Sequence, residues 1–298
     1  MPARCLVGPV STTHEVAGER RQLIHLAYRL LGSLSEAEDA AQEAYTRWYA
    51  LPERQRHAVD NPAAWLTRVA SRICLDQLRS ARVRRERYAG PWLPEPLPAP
   101  DPADRVTLDD SISMAFLVVL ESMTPAERVA VVLHDVFDYP FAEIAEIVGR
   151  TPAACRQLAT SGRRRVSAAR SIPVPAGRQA GVVREFRLAW EAADIGTLIG
   201  LLDPAVTVTA DGGGRVSTLP RPLRGTAEVA RYGAAIVGNT AGLTILERTV
   251  NGRPGLVTQR DGVIETVLAF DLAGDRIRSI WIVRNPEKLH AWIAHSHG

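Results

Sequence analysis

The sequence predicts a multidomain protein in which two all-α domains, a bundle of three to four helices and a helix-turn-helix, precede an α+β domain. Two breaks in composition support this division. Five prolines lie between residues 90 and 100, and two more lie in residues 172–177. Apolar residues recur at helical spacing before the second break, whereas alternating patterns separated by turn pairs dominate after it. With 298 residues, the chain is long enough for a core in each domain.

These breaks predict six segments along the chain. They are a disordered N-terminal extension over 1–13, a helical domain over 14–88, a proline-rich linker over 89–107, a helix-turn-helix domain over 108–171, a short linker over 172–178, and the α+β domain over 179–298.

Composition restricts the class of protein. Cys5, Cys74 and Cys155 show no C-x-x-C spacing, which argues against a disulfide framework or a zinc site and indicates a reducing compartment. No apolar run of about 18 residues is present. We therefore expect a cytoplasmic protein with no membrane partner, no metal and no cofactor. Lys288 is the only lysine among the 36 basic residues.

The first domain begins with two amphipathic helices. One covers the apolar residues between Leu23 and Leu31. A capping box at residues 35–38 predicts the start of a second helix, which reaches about Ala50 and carries acidic residues in its first turns.

A third helix is expected to begin near Asn61 and to separate an apolar side from an arginine-lined side. An aromatic ring followed by arginines suits single-stranded DNA, because stacking and charge neutralisation are both tolerant of sequence. A plain packing role for Trp65 is an equally good interpretation. The residues on the polar side include Trp65, Arg68, Arg72, Arg79 and Arg82.

The helix-turn-helix is predicted from helix-end signals and charge. Thr124 to Glu127 forms a capping box, Gly149 ends one helix, and Thr151-Pro152 begins the next. Residues 108–149 carry eight acidic residues and one arginine, whereas residues 150–171 carry six arginines and no acid. The last helix is therefore the expected reader of duplex DNA, although a merely solvated basic helix is the alternative. Its predicted DNA-facing side holds Arg156, Gln157, Thr160, Arg163 and Arg164, opposite Cys155, Leu158 and Val166.

The third domain shows helices first and strands later. Helices are predicted over 182–190 and 198–202, and again over 226–237. Strands are predicted over 206–209, 243–250, 255–270 and 276–284, with turns at Gly212 to Gly214 and at Asn251-Gly252, Asp261-Gly262 and Gly274. This order predicts a curved antiparallel sheet covered by helices.

Several motifs in the two helical domains resemble extracytoplasmic-function sigma factors of RNA polymerase. The motifs are residues 26–32, 37–43, 61–66, 144–149 and 156–158, and the match covers about residues 14–171. The resemblance implies that Asp39, Gln42 and Glu43 dock on the β′ clamp of core polymerase, that the β flap is a second contact, and that promoter DNA is bound at two elements. It assigns the −10 element to Asn61, Trp65, Arg68, Arg72, Arg79 and Arg82, and the −35 element to Arg156, Gln157, Thr160, Arg163 and Arg164.

The third domain resembles the SnoaL-like cone that is fused to one subgroup of these sigma factors. Arg215 stands where that subgroup usually has lysine, and Glu287 where it has aspartate. The resemblance implies that three short segments contact one another and regulate the sigma domains in cis. Their residues are Trp92, Leu93 and Pro94 in the linker, Asp211, Gly212, Gly213, Gly214 and Arg215 after the first strand, and Asn285, Pro286 and Lys288 near the C-terminus.

Two rival functions remain open. A ligand-responsive transcription regulator would bind duplex DNA alone, and a SnoaL-type isomerase or cyclase with a DNA-binding appendage would turn over a small molecule. Asp211, Glu265 and Asp271 are candidate carboxylates for such an enzyme. No histidine lies between His134 and His290, so a regulatory domain with a small-molecule ligand in its cone is favoured over an enzyme. One departure from the sigma pattern is Gly162, which is expected to weaken or shorten the reading helix.

Overall fold

A computed structural model describes residues 11–85, 88–99, 112–169, 174–237 and 242–294, with the backbone alone for 11–18, 81–85, 233–237 and 294. Within these ranges, every helix is too short or too polar to cross a membrane.

The first domain is a bundle of four helices. Helix α1 begins at Ser11, inside the segment predicted to be disordered, and α2 begins at Leu34, one residue before the predicted cap. Ser33, not Ser35, is the N-cap, and its hydroxyl accepts a hydrogen bond from the Glu36 amide. The short α3 was not predicted. The helices are α1 Ser11–Leu31, α2 Leu34–Ala50, α3 Glu53–His57 and α4 Pro62–Arg85.

The helix-turn-helix domain forms as predicted from its end signals. Thr124 and Glu127 close a capping box, and Gly149 ends α7 in the left-handed region at φ 73°. A π-helical turn, which the sequence did not reveal, follows α6. The elements are α5 Met114–Glu121, α6 Pro125–Val131, the π-helical turn Val132–Val136, α7 Phe141–Val148 and α8 Pro152–Ala169.

Gly162 lies where α8 packs closely against α6, and the helix does not end at it, contrary to the expectation of a shortened helix. Helix α8 continues seven residues past it to Ala169. A Cβ at this position would lie 2.4 Å from Cγ2 of the buried Val131 on α6. The absence of a side chain therefore lets α8 approach α6 closely.

The third domain holds a six-stranded sheet in the order β2-β1-β6-β5-β4-β3. The expected all-antiparallel sheet is wrong at one pair, because β1 runs parallel to its neighbour β6. The segment predicted as a single strand over 255–270 contains two strands that turn at Asp261-Gly262. The elements are α9 Ala176–Glu191, α10 Ile195–Gly200, β1 Leu202–Asp211, β2 Leu223–Arg224, α11 Thr226–Val237, β3 Leu243–Val250, β4 Arg253–Arg260, β5 Val263–Ala273, β6 Arg276–Val283, a 3₁₀ turn Pro286–Lys288, and α12 His290–Ala294.

The two faces of this sheet pack against different parts of the protein. One face and helices α9 and α10 share a core that includes Leu268 and Ile280. The opposite face, with Val267 and Trp281, packs with Leu93 of the proline-rich segment and Met114 of α5. The sheet is therefore both the core of its own domain and a wall against the helical domains.

The two helical domains also share one core. A single cluster of buried residues joins α1, α4, α6 and α7, and includes Leu30, Leu75, Leu133 and Ile144. Arg128 of α6, which is 3% exposed, donates to the Leu30 carbonyl oxygen at 2.8 Å and to the Glu121 carboxylate at 2.6 Å. The two helical domains and the sheet therefore pack against one another, and we call this the closed arrangement.

Candidate functional site

The acidic surface expected to meet core polymerase lies on α2. Asp39, Gln42 and Glu43 are exposed, while Ala37, Ala40, Ala41 and Ala44 on the other side of the helix are buried. Glu43 is paired with Arg47 one turn later. Nothing from the described part of the chain covers this surface, so it is accessible in the closed arrangement.

Several side chains on the α4 surface expected to read the −10 element make contacts within the protein. The Asn61 side chain accepts a hydrogen bond from the Ala64 amide at 3.0 Å and so caps α4. Trp65 is half-buried, with its ring 5.1 Å from that of Trp48, so it contributes to packing. Arg79 pairs with Asp76 at 3.0 Å. The Arg82 side chain falls outside the described residues.

Two further arginines on α4 contact the helix-turn-helix directly. Arg68 lies 3.1 Å from the Glu146 carboxylate on α7. Arg72 donates to the backbone carbonyl oxygen of the same residue at 2.9 Å. In the closed arrangement, side chains that the resemblance assigns to −10 DNA are therefore bound to the helix-turn-helix domain.

The α8 surface expected to read the −35 element is exposed. Arg156, Gln157, Thr160 and Arg164 all face solvent. Cys155 on the other side is fully buried, as predicted for a small apolar residue. Arg163 differs, because its guanidinium makes a two-pronged contact with Asp135 at 2.8 and 2.5 Å. DNA contact by this residue requires exchange of that partner for phosphate.

The proline-rich segment is an ordered strap. We use this name for residues 93–97. The backbone of Glu95 is hydrogen-bonded to the first domain. Its amide donates to the Gly32 carbonyl oxygen at 2.8 Å, and its carbonyl oxygen accepts from the Tyr28 hydroxyl at 2.6 Å. Four of its five residues are buried, so this part of the predicted proline-rich linker is packed between the domains.

The third domain binds the other backbone groups of the strap. The Leu93 amide donates to Asp211 at 2.9 Å, and the Leu93 carbonyl accepts from Lys288. The indole N–H of Trp292 donates to the Pro96 carbonyl at 2.7 Å. Prolines lack an amide N–H, so the strap cannot pair its own backbone groups as a helix or hairpin does. Donors from the first helical domain and from the α+β domain bind its carbonyl oxygens instead, from opposite sides.

Asp211 is the centre of a buried network beside the strap, here called the Asp211 cluster, which comprises Asp211, Tyr88, Asn285 and Lys288. The Asp211 carboxylate is fully buried and lies 2.7 Å from the Lys288 ammonium. It also accepts hydrogen bonds from the Tyr88 hydroxyl at 2.7 Å and the Gly213 amide at 2.9 Å. Burial, with Asp211 beside it, raises the pKa of Tyr88, so the phenol stays a neutral donor.

The signature segments predicted to contact one another do so. Lys288 lies 4.0 Å from the centroid of the Trp92 ring, a cation–π contact. The same ring leaves no room for a Cβ on Gly32, which would be 2.8 Å away. A Cβ on Gly213 would lie 2.5 Å from the Asn285 side chain, and one on Gly214 would lie 2.8 Å from Ala89. Arg215 and Glu287, the two departures from the subgroup pattern, are paired with each other.

Asn251 is a contact residue that the sequence analysis missed. It occupies the tip of the β3–β4 hairpin at φ 49° and is 1% exposed. Its side chain donates to the Tyr28 hydroxyl at 2.8 Å and to the Ile112 carbonyl at 2.9 Å, and accepts from the Leu97 amide at 3.0 Å. One side chain thereby joins both helical domains, the strap and the sheet. The turn signal Asn251-Gly252 marked the position but not this role.

The three candidate carboxylates lie at three separate places in the α+β domain. Asp211 faces the strap, on the other side of the sheet from its neighbour Ala210, which lies in the helix-covered core. Glu265 pairs with Arg260 at 3.3 Å, and Asp271 lines a separate groove beside α5. The described residues bring no three metal-ligating side chains together. Asp211 therefore lies away from the helix-covered side of the sheet, where the mouth of the cone was expected.

Comparison with known proteins gives the family. Residues 16–84 match sigma-70 region 2, and residues 113–166 match sigma-70 region 4. The chain is 39% identical over 288 residues to the ECF RNA polymerase sigma factor SigJ of Mycobacterium tuberculosis, covering 90% of each chain. It is 34% identical over 287 residues to the probable ECF sigma factor SigI of the same species, covering 91% of this chain and 92% of that one.

A solved structure supports the same conclusion. The crystal structure of M. tuberculosis SigJ superimposes with a TM-score of 0.75 at 34% identity, covering 94% of this chain and 98% of that chain. This coverage includes the α+β domain, so the predicted succession of helical sigma domains and an α+β domain is confirmed. The protein belongs to the extracytoplasmic-function family of RNA polymerase sigma factors.

Proposed function

We propose that the α+β domain controls this sigma factor in cis by holding its two DNA-reading domains together. The protein directs promoter-specific transcription initiation, and its activity depends on access of α4 and α8 to DNA. The observation that carries the proposal is the strap. Residues 93–97 are hydrogen-bonded to the first helical domain on one side and to the α+β domain on the other.

The proposed residue roles follow from the exposed and masked surfaces. Asp39, Gln42 and Glu43 of α2 form the surface for the β′ clamp, the second domain meets the β flap, and the complex forms in the cytoplasm. On α8, Arg156, Gln157, Thr160 and Arg164 read the −35 element, joined by Arg163 once it leaves Asp135. Asn61, Trp65, Arg68, Arg72, Arg79 and Arg82 read the −10 element.

Promoter binding requires the closed arrangement to open. The two elements lie about two helical turns apart on DNA, so the reading domains must separate to span them. Here Arg68 of α4 is 3.1 Å from Glu146 of α7, which leaves no such span. The α+β domain stabilises this contact by binding the strap between the domains. Its role is regulatory, and its cone is the place for a small-molecule ligand that shifts the equilibrium.

Run-off transcription with purified core polymerase tests this function. We expect removal of residues 177–298 to change promoter-dependent transcription relative to the full chain. Removal of only the last dozen residues keeps the cone but deletes Lys288 and Trp292, the donors to the Leu93 and Pro96 carbonyl oxygens, and should give a smaller change in the same direction. Circular dichroism checks that each truncated chain is folded.

A full-length variant separates polymerase binding from regulation. Asp39→Arg with Glu43→Arg reverses the charge of the exposed α2 surface and should abolish binding to core polymerase without unfolding the protein. Transcription by both truncated chains at the level of the full chain would overturn control in cis. Footprinting of promoters without polymerase would instead favour the ligand-responsive regulator.

A further inference from the structure

A cavity of about 340 Å³ lies on the helix-covered face of the sheet. Small-molecule sites usually occupy about 300–1,000 Å³, so this volume suits a compact ligand. Most of the wall is apolar, and the strand residues in it belong to the same face as the domain core. The apolar lining residues are Trp190, Ala210, Leu219, Leu243, Leu268 and Ile282.

The charged groups in the wall leave one positive charge unmatched. Arg260 pairs with Glu265. Glu265 has no partner on β4, because it lies in a β-bulge between Thr266 and Ile264, which pair with Thr258 and Gln259. Arg284 also lines the cavity, and its Nη1 donates to the Ser217 carbonyl at 3.1 Å. In the part of the chain that the structure describes, no carboxylate pairs with Arg284. The cavity therefore favours a ligand with a single negative charge.

Two donors in this wall lack acceptors. The indole N–H of Trp190 and the Nε–H of Arg284 are buried, and neither has a hydrogen-bond partner among the described residues. Trp190 is 8% exposed, so water does not readily satisfy its N–H. A buried donor without an acceptor is unusual in folded proteins and requires an explanation, such as an oxygen supplied by a partner from outside the chain. Both donors belong to residues that line the same cavity.

We propose that this cavity binds an apolar monoanion, of the class of aromatic or branched-chain monocarboxylates. Arg284 holds the anionic group, Trp190 donates a hydrogen bond to a ligand oxygen, and the apolar wall surrounds the hydrocarbon part. Arg260 stays paired with Glu265 and does not contribute to the charge preference. The buried hydroxyl residues Thr258 and Thr266, which lie opposite each other on β4 and β5, form the polar floor.

The site lies next to the Asp211 cluster along the chain. Ala210 and Arg284 line the cavity, and the residues that follow them, Asp211 and Asn285, belong to the cluster on the other side of the sheet. The Arg284 amide also donates to the Asp211 carbonyl at 2.8 Å. Ligand binding is therefore positioned to affect the contacts that hold the strap. This link to transcription rests on the proposed function, whereas the binding site itself does not.

A matched pair of fluorescent probes tests the ligand class on the full chain. The anionic 8-anilinonaphthalene-1-sulfonate and the neutral 1-anilinonaphthalene share their rings and differ in the sulfonate. We expect saturable binding of one anionic probe per protein, displaced by 1-naphthoate. Arg284→Gln should weaken the anionic probe about tenfold or more and leave the neutral probe within about twofold, since a charge-assisted hydrogen bond is lost only with the anion. Trp190→Phe keeps the ring but removes the N–H, and should weaken the anionic probe by a smaller factor.

Control variants separate this result from nonspecific binding. Arg231→Gln removes the same charge from an exposed position on α11 that does not line the cavity, and should have no effect. Arg284→Lys keeps the charge and should restore part of the affinity. Unchanged affinity for the anionic probe in Arg284→Gln, or an equal loss in Arg231→Gln, would overturn the proposal. Run-off transcription by the truncated chains tests the proposed function separately, so either idea can fail while the other stands.

Discussion

The side-chain amide of Asn251 donates a hydrogen bond to the hydroxyl of Tyr28 at 2.8 Å, although the two residues are 223 positions apart. Both residues are almost fully buried. Burial raises the pKa of Tyr28, so its neutral hydroxyl can accept this bond while it donates to the Glu95 carbonyl. This polar contact between the sheet and the first helical domain thus depends on an amide N–H₂ group.

Asn251→Asp should lower the stability of the closed arrangement by about 2–4 kcal/mol. The new oxygen cannot donate to Tyr28 or Ile112, while the acceptor for Leu97 is kept. Aspartate also tolerates the positive φ, so backbone strain does not explain a loss. The urea midpoint measures the effect, and Tyr28→Phe, which removes the other partner's hydroxyl, is the comparison. An unchanged midpoint for Asn251→Asp would show that this contact is dispensable.

Lys288→Met should open the strap. The change leaves the Asp211 carboxylate buried without a counter-charge, which costs about 3–5 kcal/mol. Chymotrypsin cleavage after Trp92 measures the opening, because this site is protected in the closed arrangement. Asp211→Asn combined with Lys288→Met should recover part of the protection. Lys288→Arg should also increase cleavage, since a planar guanidinium cannot replace a compact ammonium between Leu93, Asp211 and Trp92. Equal cleavage in all variants would contradict the prediction.

Glu146→Gln should raise transcription at limiting sigma factor by about twofold. The variant removes the partner of Arg68 but keeps the carbonyl that Arg72 contacts, and an exposed ion pair contributes about 0–1 kcal/mol. Glu143→Gln makes the same charge change on the same helix without this contact. Run-off assays with the two variants distinguish loss of the Arg68 partner from a general loss of charge. Equal transcription by both would count against masking of the −10 surface.

Gly162→Ala should destabilise the helix-turn-helix by about 1–2 kcal/mol. Alanine is the better helix former by about 1 kcal/mol, so helix propensity alone predicts the opposite sign. The added Cβ would lie 2.4 Å from Cγ2 of Val131, so that stiff and buried side chain must move. The cost of this overpacking exceeds the gain in helix propensity. The thermal midpoint decides between the two effects, and a rise would show that α8 can move away from α6 freely.

Glu127→Gln should lower the thermal midpoint most at neutral pH. Burial alone would raise the pKa of Glu127, but hydrogen bonds from Ser161 and Thr124 outweigh it and hold that pKa below its ordinary value of 4.5. The ionised form therefore stabilises the fold above pH 4.5, by about 1 kcal/mol for a helix cap, and this contribution is lost as pH falls through the lowered pKa. The difference in midpoint between the two proteins should shrink below pH 4. A pH-independent difference would contradict this account.

Local signals predicted most helix ends, and the errors have long-range causes. The capping box at Thr124 and the glycine at 149 formed as expected, because their partners lie within one turn. At the start of α2, Ser33 and Ser35 are both suitable caps. The strap decides between them, since Glu95 accepts from the Leu34 amide at 2.8 Å. A residue 61 positions away therefore sets where this helix begins.

In the sheet, and where it meets the helical domains, the features that the sequence did not predict also depend on residues far apart in the chain. Turn pairs showed where strands end, but the parallel pairing of β1 with β6 joins segments about 75 residues apart and leaves no local pattern. The family resemblance indicated the contacts of Trp92, Asp211 and Lys288. It did not indicate Asn251, because a turn asparagine at positive φ needs no tertiary partner to explain it. Such roles become visible only once the facing domains are known.

The chain has a single lysine, and the structure buries its amine under the Trp92 ring and against Asp211 and the Leu93 carbonyl. An acylating reagent that attacks primary amines reaches Lys288 only in molecules whose strap has lifted. The rate of acylation of the Lys288 amine therefore reports how often the strap opens in the wild-type protein, just as the rate of amide hydrogen exchange reports local unfolding. The 35 arginines are inert to such reagents. Mass spectrometry of the peptide that contains Lys288 separates its acylation from that of the N-terminal amine and of core polymerase, so opening can be followed with polymerase or promoter DNA present.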